Sequence, residues 1–292
     1  MKNKSRENSL SDYLIIFILG IAAIIFIYPF IYVLSASFSS PADVAANPIL
    51  LFPKNFTLMT YKILLSYSIV WQGYMNSVIY TLAGTTLNVI VTIMAAFSLS
   101  KTNLPGRKFI LIFIIITMFI NGGMIPRYIV VKDLGLVNTR WSVILPVLVS
   151  TWNLFIAKTY LQTNIPAELA EATEIDGGGN AVFFYKIVLP LSKPIITVLV
   201  LFYGASHWNA FFNALIYLRD RALYPLQLVL REILLQDLVQ SDMLQNAEID
   251  TNMAVLGIKY AIIVIAILPL VIVFLSAQKY FVKGVMIGSL KD

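Results

Sequence analysis

Charged positions divide the chain into long uncharged stretches. No Asp, Glu, Lys or Arg lies between Asp12 and Asp43, Lys62 and Lys101, Lys108 and Arg127, Arg140 and Lys158, Lys193 and Arg219, or Lys259 and Lys279, and each stretch has at least 17 residues. A helix needs about 17–25 mostly apolar residues to cross a bilayer. The pattern predicts six spans, near 13–37, 74–99, 109–126, 141–161, 194–217 and 258–279. Each must be helical, because lipid cannot satisfy an open backbone. Pro29, Pro146 and Pro269 lie within or near the ends of spans and predict kinks. The expected fold class is an all-α membrane protein, with residues 1–292 as one transmembrane domain. The first apolar run exceeds a signal h-region of about 7–15 residues, so it is expected to stay as a span.

Composition agrees with this pattern. Hydrophobic residues make up 59% of the chain and charged residues 12%, about half the charge of a soluble domain at ~25%. A soluble enzyme, a disordered tail and a nucleic-acid binder are excluded. The net charge of +6 is spread between apolar runs, as in membrane proteins. There is no cysteine and one histidine, so thiolate and multi-histidine metal sites are excluded, and no cofactor is expected. The short basic segment Lys101–Lys108 favours a cytoplasmic position under the positive-inside rule, which puts both termini inside. Residues 38–73 and 218–257 then form long outer loops. Within the second, Leu226–Val239 is apolar enough to lie at the membrane interface or against a partner.

The inner loop 162–193 carries the densest chemistry. Asn164 and Pro166 are suited to open a short helix. Gly177, Gly178 and Gly179 are suited to end it, since glycine takes the left-handed C-terminal position without penalty. Asn180 can cap a second helix that ends before Pro190. At 100° per residue Glu168, Glu171 and Glu174 share one face. Leu169, Ala172, Thr173 and Asp176 lie opposite. Four of the chain's fifteen acids fall between 168 and 176. The cytoplasmic leaflet attracts cations rather than carboxylates, so this face meets either water or a basic protein partner.

The spacing of this loop resembles the cytoplasmic signature of importers driven by ATP-binding cassettes (ABC importers): E-A-A, two residues, D-G, nine residues, I-x-L-P. Glu171, Ala172, Asp176, Gly177, Ile187, Leu189 and Pro190 match it, and Thr173 replaces the second alanine. The likeness continues along the chain. Asn76-Ser77, Ala95 to Ser100, Met124-Ile125-Pro126 with Tyr128, Leu134-Gly135-Leu136 with Asn138-Thr139, Ile144-Leu145-Pro146, Trp208-Asn209 with Phe211, and Gln278 to Gly284 resemble permease subunits of carbohydrate-uptake ABC importers. The group resembled includes the second maltose permease. Asn213 to Leu218 and Leu223 to Gln227 are more similar to a subgroup linked to complex oligosaccharides, some containing uronic acids.

This resemblance implies a type I importer permease in the bacterial cytoplasmic membrane. It also implies two separate nucleotide-binding ATPase subunits, a second homologous permease and an extracytoplasmic sugar-binding protein. Glu168, Glu171, Ala172, Asp176 and Gly177 would form the coupling contact with the ATPases. Glu171 would meet a basic groove, Gly177 would let the elbow turn, and Asp176 would brace that turn. The chain has no G-x-x-x-x-G-K-[ST] phosphate loop, so ATP hydrolysis is assigned to the partners and no catalytic residue to this chain.

Sugars require hydrogen-bonding groups and aromatic faces along a pathway. On the fifth span Ser206, Asn209, Asn213 and Tyr217 lie within about 80° of one another at 100° per residue, with His207 and Trp208 adjacent. Asn209, Asn213, Trp208, Trp152 and Asn153 are the candidate pathway residues. His207 fits a hydrogen-bonded interior position. Thr81, Thr85, Asn88 and Thr92 form a stripe on the second span that suits helix packing. A secondary transporter would carry an ion-coupling charge deep within a span, and the predicted spans contain none away from their ends. A membrane enzyme would need acid–base or metal groups beside His207. An ABC permease for a solute other than sugar is the remaining alternative.

Overall fold

A computed structural model describes residues 10–47, 51–235 and 251–285. Every regular element among them is helical: α1 (Leu10–Ser37), α2 (Pro41–Ala46), α3 (Met59–Ser66), α4 (Ser68–Ser100), α5 (Arg107–Phe119), α6 (Met124–Asp133), α7 (Trp141–Ile144), α8 (Thr151–Asn164), α9 (Glu168–Ile175), α10 (Asn180–Phe183), α11 (Leu189–Leu191), α12 (Lys193–Trp208), α13 (Phe212–Tyr217), α14 (Leu226–Leu234) and α15 (Thr251–Val285). A 3₁₀ turn at Leu145–Val147 follows α7, and a π turn at Phe184–Val188 joins α10 to α11. Three helices are long and apolar enough to cross a membrane. Three bent pairs bring the number to six when each pair forms one span. The chain is an all-α, multi-spanning membrane protein.

Span bounds differ from the hydropathic pattern where polar chemistry intervenes. The second span begins at Ser68 rather than near 74. The third stops at Phe119, and α5 and α6 meet at 117°. There Asn121 accepts a hydrogen bond from the Gly123 amide at 3.1 Å, a side-chain turn that replaces the helix, and Gly123 adopts φ +83°. The fourth span breaks after Pro146, bending 52° between Val147 and Thr151, and Ser150 caps the resumed helix by accepting from the Asn153 amide. Helix α12 ends at Trp208, so 194–217 is not one continuous helix. The Asn209 side chain donates to the Ala205 carbonyl at 2.9 Å, beside the Asn209 backbone N–H, the local competition that disfavours asparagine inside helices. Pro29 and Pro269 lie inside uninterrupted α1 and α15.

Two compact units divide the chain. One comprises Met1–Ser68 and Leu230–Leu268. In it Ala36 and Val44 pack with Tyr32 and Tyr260. Helix α2 opens at Ser40, whose hydroxyl accepts from the Asp43 amide, with Pro41 placed where its missing N–H costs nothing. The segment that follows folds back. Ser35 donates to the Leu51 carbonyl at 2.9 Å, and Asn55 donates to the Asp43 carboxylate at 2.8 Å. Hydrogen bonds from Ser40 and Asn55, with Lys54 nearby, hold the Asp43 carboxyl below the usual range.

The other unit comprises Ile69–Val229 and Pro269–Asp292 and contains both candidate regions. Its larger core joins Ile93, Ala96 and Leu99 of α4 with Leu154, Ala157 and Leu161 of α8, with Phe183, Phe184 and Val188 of the elbow, and with Ile195, Leu199 and Tyr203 of α12. A smaller core joins Tyr80, Val143, Ile144, Ala214, Leu218 and Leu228. The apolar segment expected at an interface or against a partner is buried in part, with Leu234 and Leu235 left exposed. It forms α14, with Leu226, Leu228, Val229 and Ile233 fully buried within the chain, and residues 236–239 lie outside the described set.

Candidate functional site

Two polar constructions stand out in the second unit: a cavity between helices and an exposed elbow. The cavity owes its existence to the break in the fourth span. A broken helix leaves backbone groups without partners, which lipid cannot satisfy. Here the Val147 carbonyl accepts from the Asn88 side-chain amide at 2.8 Å. The Ser150 amide donates to the Tyr203 hydroxyl at 3.0 Å, and that hydroxyl shares a 2.7 Å bond with Thr92. Asn88 and Thr92 come from α4 and Tyr203 from α12, so the freed groups pin three elements around one opening.

The opening has a volume of about 630 Å³, within the ~300–1,000 Å³ range of small-molecule sites. Asn88 lines it from α4, Arg127 from α6, Ser150, Trp152 and Asn153 from the break and α8, and Tyr203, Ser206 and His207 from α12. His207 is buried, with Nε2 at 3.2 Å from the Asn88 Oδ1. The Asn88 amide nitrogen is committed to Val147, so its oxygen faces the ring and His207 donates through Nε2. Gly84 lies flat beneath that ring; a Cβ there would overlap the imidazole. Wall chemistry combines a cation, amides, hydroxyls and the indole of Trp152, whose side chain is 61% exposed.

The candidate residues are distributed unevenly. Trp152 and Asn153 line the cavity. Trp208 is buried and packs edge-to-face on Tyr74 at 5.6 Å. Asn209 is exposed at the end of α12, and Asn213 is half-buried in α13; none of these three lines the cavity. The break at 209–211 removes the shared face calculated for one continuous helix. Within the α4 stripe Thr92 bonds Tyr203, while Thr81 and Thr85 have buried hydroxyl oxygens with no partner. Asn88 both packs and lines. Sequence patterning missed Arg127, because it bounded a span by charge and so placed the arginine outside it. The 117° bend between α5 and α6 brings it back to the cavity on α6.

The elbow is built around α9. Glu168, Glu171, Glu174 and Asp176 are exposed, as is Ile175. Leu169 and Ala170 pack on the larger core, and Thr173 is buried. Ala172 and Asp176 are exposed as well. Neither predicted side-chain cap forms: Ala167 precedes α9 without one, and Asn164 closes α8 by donating to the Tyr160 carbonyl. Termination follows the glycine expectation closely. Gly177 has φ +75°, its amide donates to Glu174, and the Gly178 amide donates to Thr173 at 2.8 Å, the paired bonds of a Schellman ending. A Cβ on Gly178 would lie 2.7 Å from the Thr173 methyl.

The second elbow helix starts at Asn180 without a side-chain cap. Its oxygen instead accepts from Lys101. Helical structure runs through Pro190 because the π turn resets the hydrogen-bond register, leaving Pro190 in a first turn where no N–H is needed. Lys101 also sits 4.6 Å above the Phe97 ring, which lies 5.0 Å from Phe184. Gln162 donates to the Ser100 carbonyl and Arg107 to the Leu99 carbonyl. The end of α4 is thereby fastened to α8 and to the elbow.

No protein-family model matches the chain. Protein LplC of Bacillus subtilis (strain 168) is 42% identical over 280 residues, covering 95% of this chain and 93% of LplC. The polygalacturonan/rhamnogalacturonan transport system permease protein YtcP of the same strain is 38% identical over 286 residues, covering 98% and 99%. A chain from the crystal structure of a bacterial ABC transporter involved in import of the acidic polysaccharide alginate superposes with a TM-score of 0.85 at 30% identity, covering 96% of this chain and all of that one. Full-length similarity at these levels, on a helical fold bearing the spaced elbow motif, places the chain among the permease subunits of sugar and polysaccharide ABC importers, as a non-catalytic multi-pass membrane component.

Proposed function

We propose that this permease lines half of a translocation pathway for complex oligosaccharides and couples it to separate ATPase subunits through residues 166–190. The observation that carries the proposal is the cavity of about 630 Å³, walled by hydrogen-bonding side chains and an exposed indole. Sugar rings present hydroxyls at their edges and C–H groups on their faces, so amides, hydroxyls and aromatic planes complement them. Trp152 and Asn153 act at the cavity, and Trp208, Asn209 and Asn213 act further along the fifth span. Support for the cargo comes from YtcP, named for polygalacturonan and rhamnogalacturonan transport, and from the alginate importer.

The remaining assembly follows the family: a second permease, two nucleotide-binding subunits and an extracytoplasmic sugar-binding protein. Both termini lie in the cytoplasm of a bacterial cell whose inner membrane holds residues 1–292 as one permease domain. Glu168, Glu171, Ala172, Asp176 and Gly177 form the ATPase contact. Ser206 tests the pathway, since its exposed side chain lies on the cavity wall. Ser206→Trp should leave assembly intact and cut uptake of labelled oligosaccharide at least tenfold in proteoliposomes containing the full complex. Wild-type uptake in a correctly assembled Ser206→Trp complex would remove the cavity from the pathway.

A further inference from the structure

Arg127 carries the cavity's formal charge. Among the described residues lining the opening, it has no Asp or Glu beside it. Its guanidinium makes no hydrogen bond or ion pair with any described residue, so its five donors are free to take a ligand. The position is held firmly from behind: the adjacent Tyr128 stacks on Tyr217 at 6.1 Å, and Val131, one turn on, is buried. Trp152, Asn153 and Ser150 line the same opening. A planar cation, an aromatic face and neutral hydrogen-bonding groups are assembled together with nothing to repel an anion.

We propose that this cavity recognises the carboxylate of a uronate unit through Arg127, with the ring against Trp152, so that the permease selects acidic over neutral oligosaccharides. The inference rests on the cavity being the sugar pathway. Arginine suits the task because its parallel N–H groups match both oxygens of a carboxylate, and such charge-assisted pairs exceed neutral hydrogen bonds in strength. A neutral sugar could still bond Asn153 and Ser150 but would leave the guanidinium unpaired, which is how a site built for one group rejects a partner lacking it.

The test measures uptake by the complete transporter in proteoliposomes, supplied with an oligogalacturonate or with its carboxyl-reduced neutral counterpart of equal length. The wild type should prefer the acidic chain. Arg127→Gln should lower that preference about tenfold, the order of a lost charge-assisted hydrogen bond, while uptake of the neutral chain is retained, which separates lost selectivity from misfolding. Arg127→Lys should keep the preference for the acid at reduced strength, because it preserves charge but not the fork. An unchanged acid-to-neutral ratio in Arg127→Gln would overturn the assignment and leave the pathway itself standing. Uptake of neither chain by an assembled wild type would overturn both.

Discussion

Individual residues in the second unit are constrained by close approach more than by size. Gly84 on α4 is the clearest case, because the His207 ring occupies the space a Cβ would need. Gly84→Ala must push the imidazole away, breaking its bond to Asn88 and altering one cavity wall. Overpacking of this kind costs about 1–3 kcal/mol. The expected outcome is a lower thermal unfolding temperature in detergent for Gly84→Ala, restored in part by His207→Ala in the same chain. No rescue in the double variant would show that the ring is not what limits the position. Sequence alone gave no access to this pair, since Gly84 and His207 are far apart along the chain and neither belongs to a motif. His207 itself was legible as an interior, hydrogen-bonded histidine.

Helical elements were legible where apolarity and length coincide and obscured where the helix is broken. Hydropathy picked out six apolar stretches, because the bilayer asks a similar length of every span; the described residues hold three such helices and three bent pairs, one of which starts at Asn180 rather than near 194. It could not locate the breaks at 120–123, 148–150 and 209–211, since an uncharged stretch reads the same whether its helix is continuous or interrupted. The interruptions depend on Asn121, Ser150 and Asn209 bonding nearby backbone and on distant Asn88 and Tyr203 satisfying freed groups. The elbow was more transparent, because its glycine ending is a local event. Gly177 is held at φ +75° with its amide bonded to Glu174. Gly177→Ala should cost about 1–2 kcal/mol of left-handed strain and leave partial uptake. Gly177→Pro both loses that amide and fixes φ near −65°, so it should abolish uptake with membrane insertion unchanged. Glu171→Lys should also stop uptake, and a reversed charge in the ATPase groove should rescue it while failing to rescue Gly177→Pro. Uptake by Glu171→Lys at the wild-type rate would leave the acidic face as merely solvated.

At the scale of the whole molecule, the division of labour between this chain and its partners sets the last expectation. Transport against a gradient requires an energy source, and the chain offers none of the usual machinery for one. It contains no phosphate-binding loop, and among the described residues no group of three or more His, Asp or Glu could hold a metal ion. What it does contain is a continuous set of packed contacts. The exposed acidic face of α9 is backed by Leu169 and Ala170, which pack on the core formed by Phe183, Phe184 and the end of α4, and that core reaches Tyr203 at the cavity wall. Packed cores switch between discrete arrangements rather than deform continuously, so a displacement imposed at α9 has a connected set of contacts through which to reach the cavity. The chain should therefore act only as a transducer. Purified by itself in detergent, it should release phosphate from ATP no faster than a mock preparation. Assembled with the nucleotide-binding subunits, the second permease and a loaded binding protein, it should support hydrolysis that rises severalfold with the sugar, and Glu171→Lys should remove that rise while the isolated ATPase subunits keep their basal rate. Phosphate release by the isolated chain, abolished by no partner-directed substitution, would place an energy source within these 292 residues and defeat the transducer assignment.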